Sequence, residues 1–493
     1  MITREQDTIR PVVGLEIHVQ LATETKLFCR CRNLFGDPPN TNVCPVCLGL
    51  PGSLPVLNRQ AVELAVKVGL ALDCRVADYT KWDRKSYYYP DLPKNYQISQ
   101  YDLPLCADGY LEVPVEEGKK KRIRIHRAHL EEDAGKNIHD NPHHTGVDLN
   151  RAGIPLLEIV SEPDMNTTEE VLYYARTMQR IVRWLGASEA NMEMGQMRFE
   201  PNINIHVTRA GVTYRTPIVE VKNLNSFRAL ERTIEYEIDR HYDEWLEDPE
   251  GFSLDRLGKQ NRGFDVERGA TVFQREKEEA HDYRYFPEPD LVPVVVGPEW
   301  RDRIRRDVGE LPVQRAIRYA ERYGFSEQEV NLLTQDRATG DLFDRALEAG
   351  GDPKRCVNLL MGRGASLANQ RGCSVSDLDL DPRGLAELSN LLAEGRIVST
   401  TASKLFDRML EESRSPLEIA QEDNLLVQTD RGALEKWVRE AVAENPQARQ
   451  DVLSSGNKQK KAFGYLMGQI MRKSRGTAPP QEAQRLLTEA LGI

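Results

Sequence analysis

The segment Val13-Gly-Leu-Glu-Ile-His-Val-Gln-Leu21 decides how the first half of the chain is read. Val13, Leu15, Ile17 and Val19 alternate with Gly14, Glu16, His18 and Gln20. A period of two is that of a half-buried β-strand, whose successive side chains point to opposite faces. Glu16 and His18 therefore leave the same face, about 7 Å apart at roughly 3.3 Å of rise per residue. A carboxylate and an imidazole so placed could grip one ion or substrate, or could be no more than the wetted face of the strand. The segment alone leaves both readings open.

Outward from this strand the texture stays mixed. KRIRIHRAHL, RFEPNINIHV and TPIVEVKNLNSF read as strands, interleaved with helical patterns such as RQAVELAVKVGLAL and EEVLYYARTMQRIVRWLG. Residues 1–297 are thus expected to form a large α+β domain on a mixed or antiparallel sheet. After PEPDLVPVVVGPEW (287–300) apolar residues recur at three- and four-residue spacing between Gly and Pro breaks, which predicts helices alone. A second boundary near RSPLEIAQEDN (414–424) separates an all-helical domain, 298–413, from a small helical tail domain, 414–493.

The chain has 493 residues, too many for one compact core, and 40% hydrophobic with 29% charged residues is an ordinary soluble balance. No apolar run is long enough to span a bilayer, so no membrane partner is expected. The opening MITREQDTIR has neither the apolar centre of a signal peptide nor a transit-peptide composition, and the expected compartment is the cytoplasm. A net charge of −11 excludes a chain coated in nucleic acid but not a local basic face. Eight cysteines in so long a chain make no disulfide framework, and their spacing carries the information.

Cys29-Arg-Cys31 and Cys44-Pro-Val-Cys47 are two short pairs separated by a loop, the format of tetrahedral Zn²⁺. With sulfur in all four positions such a site is structural and closed. The alternative is a set of buried free thiols, against which two adjacent pairs argue. A nucleobase deaminase is excluded: its His-x-Glu is reversed here as Glu16-Ile-His18, and Val43 stands where its Pro precedes the Cys-x-x-Cys.

Glu131, Glu132 and Asp133 are consecutive carboxylates beside His129 and Lys136, a pattern that an exposed acidic turn also gives. Glu200 in MRFEPNINI and Glu220 in TPIVEVKNLNS lie in strand-like segments, followed by Asn202 and Asn223. Several carboxylates with one imidazole are the ligand inventory of Mg²⁺ or Mn²⁺, ions that neutralise and orient phosphate oxygens. The chain has no GxxxxGK[ST] loop and no kinase signature, so any ATP chemistry uses a different kind of nucleotide site.

In WDRKSYYYPDLPKNYQISQYD (82–102), Tyr87, Tyr88, Tyr89 and Tyr96 sit among Arg84, Lys85 and Lys94. Such a loop suits stacking on bases and clamping of phosphates, or tyrosine packing. Near the end, Lys458, Lys460, Lys461, Arg472, Lys473 and Arg475 occupy GNKQKKAFGYLMGQIMRKSRG (456–476) without an acid among them. That is a footprint for a nucleic-acid backbone, or a solvated basic helix.

Together GLEIHVQL, YYYPDLPKNYQISQ, HLEEDAGK, DLNRAGIPLLEIVSEPD, VEVKNLNSF, DYRYFPEPDL and GYLMGQIMRKSRG resemble one family over almost the whole length: the B subunit of the glutamyl/aspartyl-tRNA amidotransferases. The resemblance implies an ATP-dependent ligase that phosphorylates the side-chain carboxylate of Glu-tRNA(Gln) or Asp-tRNA(Asn), which ammonia then converts to an amide. It further implies a heterotrimer. In it the A subunit, an amidase, releases the ammonia from glutamine, and the small C subunit staples the other two together.

The resemblance places Mg²⁺ on Glu16, His18, Glu131 and Glu132 of the N-terminal cradle, and extends the site to Glu200 and Glu220. It sets Lys85 and Tyr87 near the aminoacyl end of the tRNA, Lys94 where the ammonia passage opens, and the basic tail on the tRNA body. Many members lack the four cysteines, so zinc is implied to stiffen the cradle rather than to react. Residues 257–274 fit the family pattern poorly and carry no assigned contact, and Glu200 stands where Asp is frequent. The competing reading is a tRNA-binding scaffold without chemistry.

Overall fold

The computed structural model describes residues 2–493 apart from positions 5, 117, 142, 223, 277–282, 413, 428–430, 454–456 and 475, and apart from the side chains of 116, 141, 275, 276, 431 and 457. Asn223 and Arg475, both singled out above, lie outside the described residues. The architecture is α+β, a multi-stranded sheet region followed by helices. Contacts divide the chain into two units, Met1–Leu311 and Pro312–Ile493.

The first unit is built on the strand that the opening segment predicted, which runs from Asp7 to Gln20. It is flanked by Pro155–Ser161 on one side and Met197–Arg209 on the other, both antiparallel to it. Beyond Pro155–Ser161 the sheet continues through Lys119–Glu132, Cys106–Glu116 and Arg75–Val76. Beyond Met197–Arg209 come Ile218–Lys222, Lys259–Asp265 and Ala270–Glu276, of which the first two pair in parallel. Ile2–Arg4 and Val212–Arg215 add short edges.

Alternation decides what each face meets. Val13, Leu15, Ile17 and Val19 are at most 1% exposed and pack beneath helices Arg59–Ala71, Thr168–Trp184 and Phe227–Glu247. Asn58, Thr167 and Ser226 cap these helices with side-chain oxygens that accept from first-turn N–H groups. Pro298–Val308 packs on Arg59–Ala71 and joins the same core.

One helix is tied to the sheet by charge. Glu237, fully buried, lies 3.1 Å from His241 Nε2, 2.6 Å from Arg240 Nη2 and 3.5 Å from Arg262 Nε, and it accepts from Thr271. Burial pushes its carboxyl up, but His241 and Arg240 outweigh that and hold it down at about 2, against an ordinary 4.5. A depressed carboxylate contributes stability above its unfolded value, and that stability is lost as pH falls toward the folded value. Glu237→Gln is therefore expected to cost about 3 kcal/mol at neutral pH. Urea denaturation of variant and wild type should converge between pH 4.5 and pH 2.

The second unit is helical throughout its described residues. One apolar cluster runs from Tyr319 to Ala420 and another from Leu434 to Leu491. In the first, helix Pro353–Leu359 passes through a π-turn, Leu360–Gly364, into Ala365–Arg371.

Candidate active site

The face of the sheet opposite the helices is polar because the even-numbered residues of Asp7–Gln20 point there. Register brings partners from four strands into rows. His129, Glu158, His18 and Arg198 lie side by side, and Glu16 lies opposite Glu200 in the next row. Glu158, His18, Arg198, Glu16 and Glu200 line a cleft of about 950 Å³ together with Lys85, Tyr87, Glu131, Lys222, Asn261 and Gln274.

Two groups within it could hold a cation. His18, Glu131 and Glu158 each offer one ligand atom within 4.8 Å of the others, and Glu16, Glu200 and Glu220 do the same. His18 Nε2 lies 3.4 Å from Glu158 and 3.9 Å from Glu131, while its Nδ1 lies 4.0 Å from Glu200. The buried Nδ1 atoms of His18 and His129 have no hydrogen-bond partner among the described residues. Asn202 donates to Glu16 at 2.9 Å, and Lys222 bridges Glu200, at 2.8 Å, and Glu220.

Charge here is finely opposed. Burial alone would discharge His18, but its hydrogen bond to Glu158 and the charges of Glu200 and Glu158 raise it to about 9. Burial likewise pushes Glu158 upward, yet His129, His18 and Lys85 hold it well below the ordinary carboxylate range. Glu200 is lowered in the same way, against its burial, by Lys222 and His18. Lys85 is kept charged against burial by Tyr285, Glu131, Tyr87 and Glu158. Its ammonium sits 4.8 Å from the ring centre of Tyr283 and 5.8 Å from that of Tyr87.

Glu132 does not join this group. Neighbours on a strand face opposite ways, so Glu131 enters the cleft and Glu132 leaves it. On the far side Glu132 pairs with Lys94 and accepts from Ile98 N at 2.8 Å. Both line a second, smaller cavity of about 110 Å³ beside Cys29 and Cys47. Lys94 thus stands with Glu132 rather than with Glu200 and Glu220. Gly49, at φ +67°, lets the Lys94 stem pass where any β-carbon would collide with it.

The sulfurs of Cys29, Cys31, Cys44 and Cys47 all lie within 4.8 Å of one another, so the four could hold a metal ion. Cys44 and Cys47 are 3.9 Å apart. Tetrahedral ligation at about 2.3 Å per sulfur requires roughly 3.8 Å between sulfurs. The hydrogen bond from Cys29 draws Cys47 down to about 5 against its burial, helped by the Cys44 N–H and by Lys26. In the tail, Lys458, Lys460, Lys461 and Arg472 are exposed along helix Asn457–Lys473. Lys473 is instead bridged to Glu440 at 3.4 Å and Glu444 at 2.7 Å.

Glu158, Arg198 and Lys222 were not singled out from the sequence, and His129 was named only as a neighbour of Glu131. Glu158 carried a signal, the one acid in the apolar strand PLLEIVS. Lys222 carried another, two positions from Glu220 and hence on its face.

Comparison with known proteins defines the class first. Residues 11–302 match the family described as the GatB/GatE catalytic domain, and residues 341–491 match the GatB domain. The B subunit of aspartyl/glutamyl-tRNA(Asn/Gln) amidotransferase from Thermodesulfovibrio yellowstonii is 43% identical over 480 residues, covering 97% of this chain and 98% of its own. The namesake from Carboxydothermus hydrogenoformans is 44% identical over 484 residues, again 97% of this chain and 98% of its own. That from Treponema denticola is 41% identical over 489 residues, 97% of each chain. The chain belongs to the amidotransferase B-subunit family. Among the described residues no helix is long and apolar enough to cross a membrane.

Proposed function

We propose that this chain is the activating subunit of a tRNA-dependent amidotransferase complex. It binds ATP and Glu-tRNA(Gln) or Asp-tRNA(Asn) in the cleft and transfers the γ-phosphoryl group to the side-chain carboxylate. A carboxylate oxygen bonds to phosphorus as ADP leaves, and ammonia then attacks the acyl carbon and expels phosphate. The A subunit supplies the ammonia, and the C subunit completes the heterotrimer.

The observation that carries this reading is the pairing of two carboxylate sets on one cleft floor. Glu131 and Glu158 with His18, and Glu16 and Glu200 with Glu220, each bring three possible ligand atoms within 4.8 Å of one another. Carboxylates clustered this closely repel a bare polyphosphate locally, and both sets fit Mg²⁺ in donor type. Bound there, Mg²⁺ would neutralise and orient phosphate oxygens. Lys85, which makes no hydrogen bond or ion pair among the described residues, offers its ammonium to an incoming anion, and Tyr87 shapes the approach. Lys94 and Glu132 flank the smaller cavity from which ammonia would arrive. Lys458, Lys460, Lys461 and Arg472 would meet the tRNA body.

The test is a trap. The complex with the A and C subunits receives ATP, Mg²⁺, mischarged tRNA and hydroxylamine, but no glutamine. Hydroxamate on the amino acid supports activation. Binding without hydroxamate on either tRNA supports the scaffold reading instead.

Zinc on the four cysteines is given a structural part. Chelation, or Cys47→Ser, is expected to lower thermal stability by several degrees and open residues 29–47 to proteolysis. Hydroxamate formed per folded molecule should stay unchanged. A proportional loss of hydroxamate would point to a reacting metal.

A further inference from the structure

The polar face of the sheet continues past the carboxylates and changes sign. His206 lies opposite Arg10 on one neighbouring strand and opposite Arg215 on the other, so three basic groups stand in one row. Arg10 and Arg215 are exposed and His206 is half-buried. Arg10 Nη2 donates to His206 Nδ1 at 2.9 Å, which uses the imidazole as an acceptor. Burial, Arg10 and Arg215 together lower the His206 pKa.

Arg10 and Arg215 flank a neutral His206 on one face, and a sequence keeps two guanidiniums together without an acid where something else compensates them. Inside the cleft Arg198 has Asp133 at 3.2 Å and Lys222 has Glu200 at 2.8 Å. No described carboxylate does this for Arg10 or Arg215. The neighbours on this face are instead hydroxyls: Thr8 lies opposite Thr208, which lies opposite Thr213. Thr208 and Thr213 share a hydrogen bond of 3.0 Å.

We propose that Arg10, His206 and Arg215 form a docking surface for the sugar-phosphate backbone of RNA. The inference rests on the tRNA substrate proposed above. An open row of cations and hydroxyls has the chemistry that grips phosphodiester and 2′-hydroxyl groups without reading bases. Arg10 lies six residues from Glu16 on the same strand. That is about 20 Å, a distance that a few nucleotides span. The aminoacyl end would then lie over the carboxylates while the strand leading to it runs along the sheet.

The test measures binding of a tRNA transcript by the full chain over a range of salt. Arg10→Ser/Arg215→Ser is expected to weaken binding at least about 10-fold and to reduce the slope of log K on log[salt] by about 1.4–1.8, two phosphate contacts. Its melting temperature should hold or rise, because repulsion is relieved. Arg10→Lys/Arg215→Lys should recover most of the affinity. Arg305→Ser/Arg306→Ser, an equal charge loss on an exposed helix, should change it less than about twofold.

Unchanged affinity and slope, an equal loss in the Arg305/Arg306 control, or no tRNA binding by the wild type overturns the proposal. Hydroxamate formation alongside unchanged binding by Arg10→Ser/Arg215→Ser removes this surface alone. Weakened binding by that variant, with no hydroxamate from the wild type, supports the surface and removes the activation reading.

Discussion

His18→Ala and Glu158→Gln are expected to lower hydroxamate formation by about 10²–10³ or more while tRNA affinity stays within about threefold. The asymmetry follows from what each side chain touches. His18 is the meeting point of both carboxylate sets, 3.4 Å from Glu158 on one ring nitrogen and 4.0 Å from Glu200 on the other. Glu158→Gln keeps shape and removes charge, so the set His18/Glu131/Glu158 loses one of its anionic ligands and His18 its main hydrogen-bond acceptor. His18 lies eight residues along its strand from Arg10, and RNA affinity is expected to arise at the basic row and at Lys458, Lys460, Lys461 and Arg472. Circular dichroism separates a damaged site from a damaged fold. Activity that survives both changes would remove the cation site from the mechanism.

Lys94→Met is expected to divide the two half-reactions: hydroxamate persists, while glutamine-dependent amide formation falls more than about tenfold. Lys94 and Glu132 are absent from the cleft and line the smaller cavity on the far side of the same strand. Removing one partner of a buried ion pair costs about 3–5 kcal/mol, so the folded fraction must be measured with the rate. Lys94→Met/Glu132→Gln removes the stranded charge and serves as the second variant. Added ammonium should restore amide in both, because the cleft is open to solvent. A parallel fall in hydroxamate and amide per folded molecule would tie Lys94 to activation instead of ammonia delivery.

How much of this was legible in the sequence depended on range. Alternation in Val13–Leu21 is local, and it correctly put Glu16 and His18 on one polar face. Helical spacing after residues 287–300 is local too, and the second unit, from Pro312, is helical throughout its described residues. What sits opposite His18 is not local. The strand bearing Glu158 shows one acid among apolar residues, and only its register against Asp7–Gln20 sets that carboxylate beside the imidazole. Adjacent Glu131 and Glu132 gave no sign of which one enters the cleft, since either face fits the pattern until pairing is known. The atypical stretch 257–274 falls in the last two strands of the sheet, Lys259–Asp265 and Ala270–Glu276, which lend Asn261 and Gln274 to the cleft.

The back-to-back placement of Glu131 and Glu132 also bears on how this segment can change over evolutionary time. Deleting one residue upstream in Lys119–Glu132 would carry Glu132 into the place of Glu131 beside His18 and Asp133 into the place of Glu132 beside Lys94. An acid would still stand at each site, but Glu131 would be set in the apolar place of Leu130. Leu130 and Ala128, both fully buried, would turn toward the polar cleft, and His129 toward the apolar core. Substitutions can therefore accumulate along this strand one at a time, whereas single-residue insertions and deletions are barred because every side chain changes face together.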